Sequence, residues 1–295
     1  MKATLFLPLL FFVQCCSAQP SLNLPANPDN NSLLWEISGK DLKKPSYLFG
    51  TFHMMCKADI QFSKNLLAAL KNSEEVYFEM DLDDPSNTLG ALFFMNMKDG
   101  KTLKDLYTAE EYNKLLLFFK DSLRTSLGSF QKMKPSFLEA FLYPKLMPCK
   151  NLSGVEQELL KIAAIEKKEI KGFETIAFQA AFFDSIPYSA QAKSLLNSID
   201  SIENYKKYFE KMVDVYQSQK LDSIESLFNE EEFGLKDGLE LLLDKRNINW
   251  VAQLKTILPS KNIFMAVGAA HLVGQKGVIE LLKKEGYTLT PILNK

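Results

Sequence analysis

The apolar positions of the chain first predict a strand, a helix and a second strand. Ser46–Phe49 is a short, mostly apolar run that Gly50 ends. Ile60–Leu70 carries apolar residues at helical spacing, and Val76–Phe78 is another short apolar run. Buried strands give such runs, whereas amphipathic helices repeat their apolar residues every three or four positions. The pattern therefore predicts a β-α-β unit with parallel strands and a right-handed crossover.

The same order of elements returns at the C-terminal end of the chain. Ile263–Val267 predicts a buried strand, and Gly268 ends it. Val278–Lys284 then predicts a helix and Tyr287–Ile292 a last strand. The chain thus begins and ends with one kind of unit.

A third unit lies between these two. Val155–Lys167 has the spacing of an amphipathic helix, and Glu169 and Ile170 lead through a glycine into another helix that starts at Thr175. Strands that alternate with helices are typical of α/β folds. We therefore expect a mostly parallel central sheet built from two related β-α-β halves.

The rest of the chain is predominantly helical in pattern. Apolar residues recur at helical spacing with Lys and Glu between them, which predicts a helical insertion that covers the sheet. We interpret these apolar stripes as core and assign them no chemistry. The predicted helices are Glu110–Leu123, Phe137–Leu146, Ile202–Tyr216, Ile224–Phe228 and Leu239–Leu258.

The N-terminal residues have the pattern of an export signal. Lys2 precedes an apolar stretch, and the small residues before Gln19 suit cleavage by signal peptidase. We expect a signal peptide over residues 1–18, a disordered lead over 19–32 and one domain over 33–295. The alternative is a lipoprotein with a lipid on Cys15 or Cys16. Either way the protein is exported, to the periplasm or the medium, and no later segment is long and apolar enough for a transmembrane anchor.

Two cysteines, Cys56 and Cys149, remain after the predicted cleavage. Exported proteins usually oxidise such a pair, so we expect a disulfide between them. The alternative is that Cys56, three residues after His53, is a metal-ligating thiolate.

The charge of the chain argues against nucleic acid as a partner. The sequence has 35 Lys and Arg against 36 Asp and Glu, which leaves a formal charge of −1. It has no basic run of the kind that contacts phosphates. Composition alone does not indicate the oligomeric state.

The chain has only two histidines, and each follows a glycine by three positions. The glycines are Gly50 before His53 and Gly268 before His271, and each pair follows the end of a predicted strand. In α/β sheets, ligands bind at the carboxyl ends of the strands. A lone histidine is more often a hydrogen-bonded core residue, but the duplicated context favours metal ligation or acid/base work here.

Two carboxylates are expected at the same edge of the sheet. Glu79 directly follows Val76–Phe78, and Glu174 follows the middle strand. Each could instead be an ordinary charge, and Glu174 could stabilise the N-terminus of its following helix. Two histidines with one or two carboxylates suit Zn, Mn, Co or Fe, and a metal ion at such a site supports hydrolysis of amides or esters. The sequence contains no H-E-x-x-H, G-x-S-x-G or Walker motif.

The chain resembles the TraB/GumN family, which includes the TIKI metalloproteases. The resemblance spans residues 33–293 and rests on the paired G-x-x-H motifs and on the segments around them. Where the family commonly has Asp after its middle glycine, this chain has Glu156. The other matching segments are Leu34–Ile37, Tyr47–His53, Tyr77–Asp81, Gly154–Glu156, Lys171–Thr175, Lys245–Asn247, Val267–Gly274 and Gly286-Tyr287.

The resemblance implies a metal-dependent peptidase that acts on a peptide or protein substrate. His53 and His271 are then metal ligands for Mn, Co or Zn, and Glu79 is a ligand or general base. Glu174 is a supporting or catalytic carboxylate. Arg246 and Asn247 are candidates to hydrogen-bond substrate or a developing oxyanion, or they are simply a pair on the surface of a helix.

Two other functions remain open. The first is a metal-free hydrolase that resembles erythromycin esterases and uses histidine and glutamate as acid and base. The second is a non-catalytic module that binds a hydrophobic peptide or an iron or haem ligand.

Overall fold

A six-stranded sheet forms the centre of the protein, for which a computed structural model describes residues 22–29, 31–84, 90, 94–228 and 240–295. The strands follow in the order β6-β4-β7-β2-β1-β8, and β3 pairs with β5 in a separate two-stranded ribbon. The strands are β1 (Leu34–Ser38), β2 (Ser46–Thr51), β3 (Met55–Cys56), β4 (Glu75–Met80), β5 (Leu152–Ser153), β6 (Glu169–Glu174), β7 (Ile263–Gly268) and β8 (Thr288–Pro291).

The sheet is mostly parallel, as the sequence predicts. β7 is parallel to both β2 and β4, and β4 is parallel to β6. β1 is antiparallel to both β2 and β8, so it alone runs against the other five strands of this sheet. The strands of the first predicted β-α-β unit, β2 and β4, are parallel but not neighbours, because β7 from the other end of the chain lies between them. A relation between two halves stays a prediction.

Strand β7 shows why the sheet is buried on both faces. Phe264 and Ala266 belong to one apolar core, whereas Ile263, Met265 and Val267 belong to the other. Successive side chains of a strand point to opposite faces, so an uninterrupted apolar run suits a strand that is covered on both sides. The most apolar strand accordingly lies inside the sheet.

Eleven α-helices are found in the described part of the chain, together with shorter 3₁₀ and π turns. They are α1 (Lys64–Asn72), α2 (Ala109–Leu117), α3 (Pro135–Leu138), α4 (Tyr143–Leu146), α5 (Val155–Ile165), α6 (Ile176–Ser185), α7 (Tyr188–Asp200), α8 (Ile202–Ser218), α9 (Leu221–Phe228), α10 (Lys245–Ile257) and α11 (Val278–Lys284).

Most predicted helices are present, with differences in detail. The helix predicted over Ile60–Leu70 begins only at Lys64. The helix predicted over Phe137–Leu146 is broken into short pieces; α4 restarts beside Pro144, which lacks the N–H that a continuing helix requires. α2 ends at Leu117 and passes into a π turn over Phe118–Ser122. The prediction over Leu239–Leu258 starts outside the described residues; from residue 240 it is a π turn followed by α10.

The segment before the first strand lies along the end of the sheet. Ala26 forms an isolated bridge with Ile292, and the Ser32 hydroxyl donates to the Ile292 carbonyl at 2.6 Å. Parts of the predicted lead, from Pro25 to Asn27 and at Ser32, therefore contact the C-terminal residues 291–293. Residues 1–21, with the predicted signal peptide and both candidate lipidation sites, lie outside the described residues. In the ranges given above, no helix is long and apolar enough to cross a membrane.

Candidate functional site

The carboxyl ends of four parallel strands bring the predicted site residues to one edge of the sheet. Thr51, at the end of β2, is opposite Gly268 in β7, and Met80 in β4 is opposite Glu174 in β6. His53 follows β2 by two residues, whereas Glu79 lies within β4, one residue later in the strand than its predicted end. Parallel strands end on the same side, so the register alone explains why these distant segments meet.

His271 is buried, and its tautomer is fixed by a neighbouring amide. Its Nδ1 lies 2.6 Å from Asn247 Oδ1, and the Asn247 amide nitrogen donates to the Lys276 carbonyl at 2.9 Å. Since the amide nitrogen is used by Lys276, the amide oxygen faces the ring, and Nδ1 must carry the proton. Nε2 therefore keeps its lone pair. Burial lowers the pKa of His271 to about 3, so the ring is neutral at physiological pH.

His53 is exposed, with 71% of its side chain accessible, and it is oriented by a carboxylate. Its Nδ1 lies 2.7 Å from Glu156 Oε1, and Glu156 also accepts a hydrogen bond from the Thr51 hydroxyl at 2.6 Å. The Glu156 carboxylate raises the pKa of His53, and water that reaches the exposed ring screens the pair. His53 and Glu156 thus form a hydrogen-bonded ion pair at neutral pH.

The first turn of α5 is pinned to the His53 loop by a close backbone approach. The Val155 amide donates to the Phe52 carbonyl at 3.0 Å. A Cβ at Gly154 would lie 2.6 Å from the His53 carbonyl oxygen, so only glycine fits there. Glu156 lies in this first turn, where the partial positive charge of the helix N-terminus stabilises its carboxylate.

Arg246 connects the two carboxylates and one of the histidines. Its Nη2 lies 2.6 Å from Glu79 Oε2, and its Nε donates to both Glu174 oxygens at 3.0 Å. Its Nη1 lies 3.2 Å from His271 Nε2. The guanidinium also lies over the Trp250 ring, at 4.9 Å from the centroid. These contacts leave the side chain little freedom.

Glu174 is the most deeply buried carboxylate at this edge, with only 1% of its side chain exposed. Besides Arg246, it accepts a hydrogen bond from the Trp250 indole at 2.8 Å. It therefore holds Arg246 and Trp250 in place. The Trp250 ring in turn packs against the His271 ring, with 4.4 Å between centroids.

Glu79 faces the space between the histidines. Its Oε1 accepts the Gly268 amide at 2.9 Å and lies 3.7 Å from His271 Nε2. Burial alone would raise the pKa of Glu79, but His271, Arg246 and His53 together with the Gly268 amide outweigh it and hold this pKa below its usual range. Glu79 is therefore ionised at neutral pH.

The donor set suits a divalent metal in the kind of its ligands. A Cβ at Gly268 would lie 3.3 Å from Glu79 Oε1, 3.6 Å from His271 Cδ2 and 3.7 Å from His53 Nε2, so the glycine leaves a space that these three side chains surround. Both imidazoles have a partner on Nδ1, the usual support of metal-ligating histidines. Ligands at about 2.1 Å from one ion lie roughly 3–3.5 Å apart, close to the spacing of Glu79 and His271.

The described side chains of the site are not arranged around one ion position, and Arg246 lies among them. Within the ranges that the structure describes, no three His, Cys, Asp or Glu side chains already converge on a single ion position. The Nε2 lone pair of His271 faces Arg246 Nη1. Ligation by His271 therefore requires the guanidinium to move off this nitrogen.

A disulfide lies close to the first histidine. Cys56 is bonded to Cys149, with Cα atoms 5.9 Å apart, as the cysteine count predicts. The neighbouring β3 and β5 pair through Met55 with Ser153 and Cys56 with Leu152. In this arrangement Cys56 is not a thiolate ligand.

The contacts of Glu156, Trp250 and Asn247 were not foreseen. Glu156 has a signal in the sequence, since it follows the middle glycine in the family pattern. Trp250 lies one helical turn after Arg246 in α10, and it had no signal of its own. The Asn247 amide contacts His271 through its oxygen and Lys276 through its nitrogen, and only 1% of the residue is exposed, so it orients the histidine.

Comparison with known proteins identifies relatives over most of the chain. The model of the TraB/PrgY/gumN family matches residues 33–291. The protein named "Metalloprotease TIKI1" of Danio rerio is 26% identical, with 88% of this chain and 63% of that protein aligned. The proteins of the same name from Xenopus tropicalis and Homo sapiens are both 25% identical, with 96% and 89% of this chain aligned.

The chain spans less than two thirds of the length of these relatives, namely 63%, 66% and 62%. No solved structure matches the chain. The relatives support a distant kinship with TIKI metalloproteases.

Proposed function

Since the chain belongs to the TraB/PrgY/gumN family, we propose that it is a divalent-metal-dependent hydrolase of peptide bonds. His53, His271 and Glu79 would hold the metal, which is Mn, Co or Zn, and the substrate is a peptide or protein. Export by the segment over residues 1–18 is part of this proposal.

The observation that carries the proposal is the matched support of the two histidines. Glu156 holds Nδ1 of His53, and Asn247 holds Nδ1 of His271. Both Nε2 atoms are thereby directed to the side of Glu79 and Gly268. A histidine that only packs in a core has no need of a partner that fixes its tautomer, nor of an Nε2 that lies on the side of a carboxylate.

When bound, the metal would polarise a carbonyl and lower the pKa of a bound water. The residues around it have separate tasks. Glu79 is ionised, and because Arg246 holds its Oε2, Oε1 is the oxygen that would either bind the metal or, as a general base beside it, take a proton. Arg246 Nη1 is the donor placed to stabilise an oxyanion once it leaves His271 Nε2. Glu174 and Asn247 position Arg246 and His271 and do not touch substrate.

A metal-free hydrolase is the second candidate, and two contacts favour it. The His53–Glu156 pair has the geometry of a general base with its orienting carboxylate. Arg246 already lies on the nitrogen of His271 that a metal would need. In this mechanism the neutral form of His53, which predominates only above its raised pKa, takes the proton from water at Nε2, and Arg246 stabilises the oxyanion.

The test is metal analysis and turnover on protein purified without an affinity histidine tag. Blocked peptides are incubated with the parent protein, with a chelator, and with Mn, Co or Zn added back, and the fragments are measured by mass spectrometry. The proposal expects cleavage that is lost in chelator and restored by metal. Full cleavage in chelator supports the metal-free candidate, whereas tight binding of a peptide or of haem without cleavage supports a binding module.

A further inference from the structure

An apolar cavity of about 430 Å³ opens beside the two histidines. Thr51, His53, Arg246 and His271 line its polar end. The remaining wall is almost entirely apolar. Side chains that form this wall include Phe52, Phe209, Met212, Val215, Leu227 and Leu242.

An aromatic cluster builds the floor of the cavity. The Phe52 ring lies 5.9 Å from that of Phe209 and 5.2 Å from that of Tyr216, and Tyr143 lies 5.4 Å from Phe209. The Tyr216 hydroxyl donates to the Gly50 carbonyl at 3.1 Å, so this residue presents its ring. Because the rings hold one another, the floor is formed before any ligand arrives, which lowers the entropic cost of binding.

The wall above the floor remains partly open. Met212 and Val215, on one face of α8, are partly exposed, as are Leu242 and Leu243 in the turn before α10. A ligand in the cavity would cover these side chains and remove their apolar surface from water. Their burial would supply binding free energy.

The charges at the polar end do not suit a charged ligand group. Arg246 is already paired with Glu79 and Glu174, and the Glu156 carboxylate is paired with His53. A charged side chain placed deep in the cavity would lose its water without gaining a partner. The cavity therefore discriminates by polarity.

We infer that this cavity is the subsite for one bulky apolar side chain of a peptide substrate, that of Phe, Leu or Met next to the scissile bond. The inference rests on the proposed function for the position of the scissile bond. His53, Gly268 and His271 belong both to the site and to the wall of the cavity, so a peptide whose carbonyl lies at the site places the adjacent side chain in the cavity.

The test uses blocked pentapeptides of the form Ala-Ala-Xaa-Ala-Ala, with Phe, Leu, Met, Ala, Asp or Lys as Xaa. Binding is measured by calorimetry in chelator, and cleavage is measured by mass spectrometry with saturating Mn, Co or Zn. Full burial of an apolar side chain corresponds to about 10- to 100-fold in affinity. We expect the Phe, Leu and Met peptides to exceed the Ala, Asp and Lys peptides by this factor.

Variants of Met212 locate the preference in the cavity. Met212→Trp fills the wall and should remove the advantage of the Phe peptide, whereas Met212→Ala should keep it. Tyr205→Trp is the matched control, since it places an indole at an exposed position of the same helix, and it should change nothing.

The outcomes separate the subsite from the proposed activity. Selective binding of the apolar peptides without cleavage supports the subsite and contradicts the proposed peptidase activity. Cleavage with no preference for apolar Xaa, or a preference that Met212→Trp leaves intact, overturns the subsite and retains the peptidase. A parent protein that neither binds nor cleaves any of the six peptides overturns both.

Discussion

Arg246 and His271 meet at the ring nitrogen that a metal ligand would use: Nη1 of Arg246 lies 3.2 Å from Nε2 of His271. The same guanidinium neutralises Glu79 and Glu174. One side chain therefore stabilises the buried carboxylates and also competes with a cation for the site. Replacing it should separate these two effects.

Arg246→Met should destabilise the fold and yet strengthen metal binding. Glu174 and Glu79 are 1% and 13% exposed at their side chains, and a buried charge that loses its partner costs about 3–5 kcal/mol in the free energy of unfolding. Loss of the nearby positive charge should raise metal affinity about tenfold or more. Urea unfolding and metal titration measure the two effects, and turnover should fall.

The matched control for Arg246 is Lys245→Met, the preceding residue, whose side chain is 59% exposed. It should leave stability and metal affinity near parental values. Equal stability of the Arg246 and Lys245 variants would mean that the guanidinium does not hold the carboxylates.

His53→Ala and His271→Ala should both abolish metal binding and metal-dependent turnover, but they should differ in stability. His271 is buried, so its replacement leaves a cavity and an unpaired Asn247 oxygen. The free energy of unfolding should fall by about 2–4 kcal/mol. His53 is exposed, so its replacement should lower the free energy of unfolding by about 1 kcal/mol or less. If either variant binds metal and turns over like the parent, that histidine is not a ligand.

Glu79→Gln keeps size and polarity but removes charge and basicity. As a general base its loss should lower turnover by about 10²–10⁴-fold at saturating metal, and as a ligand it should also weaken metal affinity. Glu75→Gln is the control, because Glu75 starts the same strand and pairs with Lys261 away from the site. Near-parental turnover of Glu79→Gln would mean that Glu79 is neither a metal ligand nor a general base.

Local patterns in the sequence predicted the strands and the edge at which the histidines meet. β7 and the two G-x-x-H segments are examples, because a buried strand and the glycine after it leave a signal within a few residues. The place of β7 between β2 and β4 was not predictable in this way, since strand order depends on packing between distant segments. The contacts of Arg246 with Glu174 and of His53 with Glu156 join residues that are 72 and 103 positions apart, and spacing carries no information on them.

Loss of the disulfide should loosen both the fold and the site. Cys56 and Cys149 are 93 residues apart, and closing a loop of this size stabilises a protein by about 2–5 kcal/mol. The Cys56→Ala/Cys149→Ala double variant should unfold at lower urea and turn over more slowly, and the parent protein in reductant should behave like it. Two free thiols in peptide maps of protein from its native compartment would remove this prediction.

Metal binding should release a proton and weaken as the pH falls. The Glu156 carboxylate raises the pKa of His53 above its ordinary value of about 6.5, so at pH 7 the ring carries a proton on Nε2 that a metal must displace. Below the pKa of His53, affinity should fall about tenfold per pH unit; above it, affinity should level off. Burial keeps His271 neutral in this range, so it adds no second proton.

Glu156→Gln tests this assignment, because glutamine can still accept the Nδ1 hydrogen bond of His53 but no longer raises its pKa. At pH 7 the parent should release about one proton when it binds metal, and the variant should release fewer. The metal affinity of the variant should level off at a lower pH than that of the parent. Calorimetric titrations with Zn in two buffers of different ionisation enthalpy measure the proton count. If the parent releases no proton at pH 7, or if Glu156→Gln releases as many as the parent, the His53–Glu156 ion pair does not control metal binding.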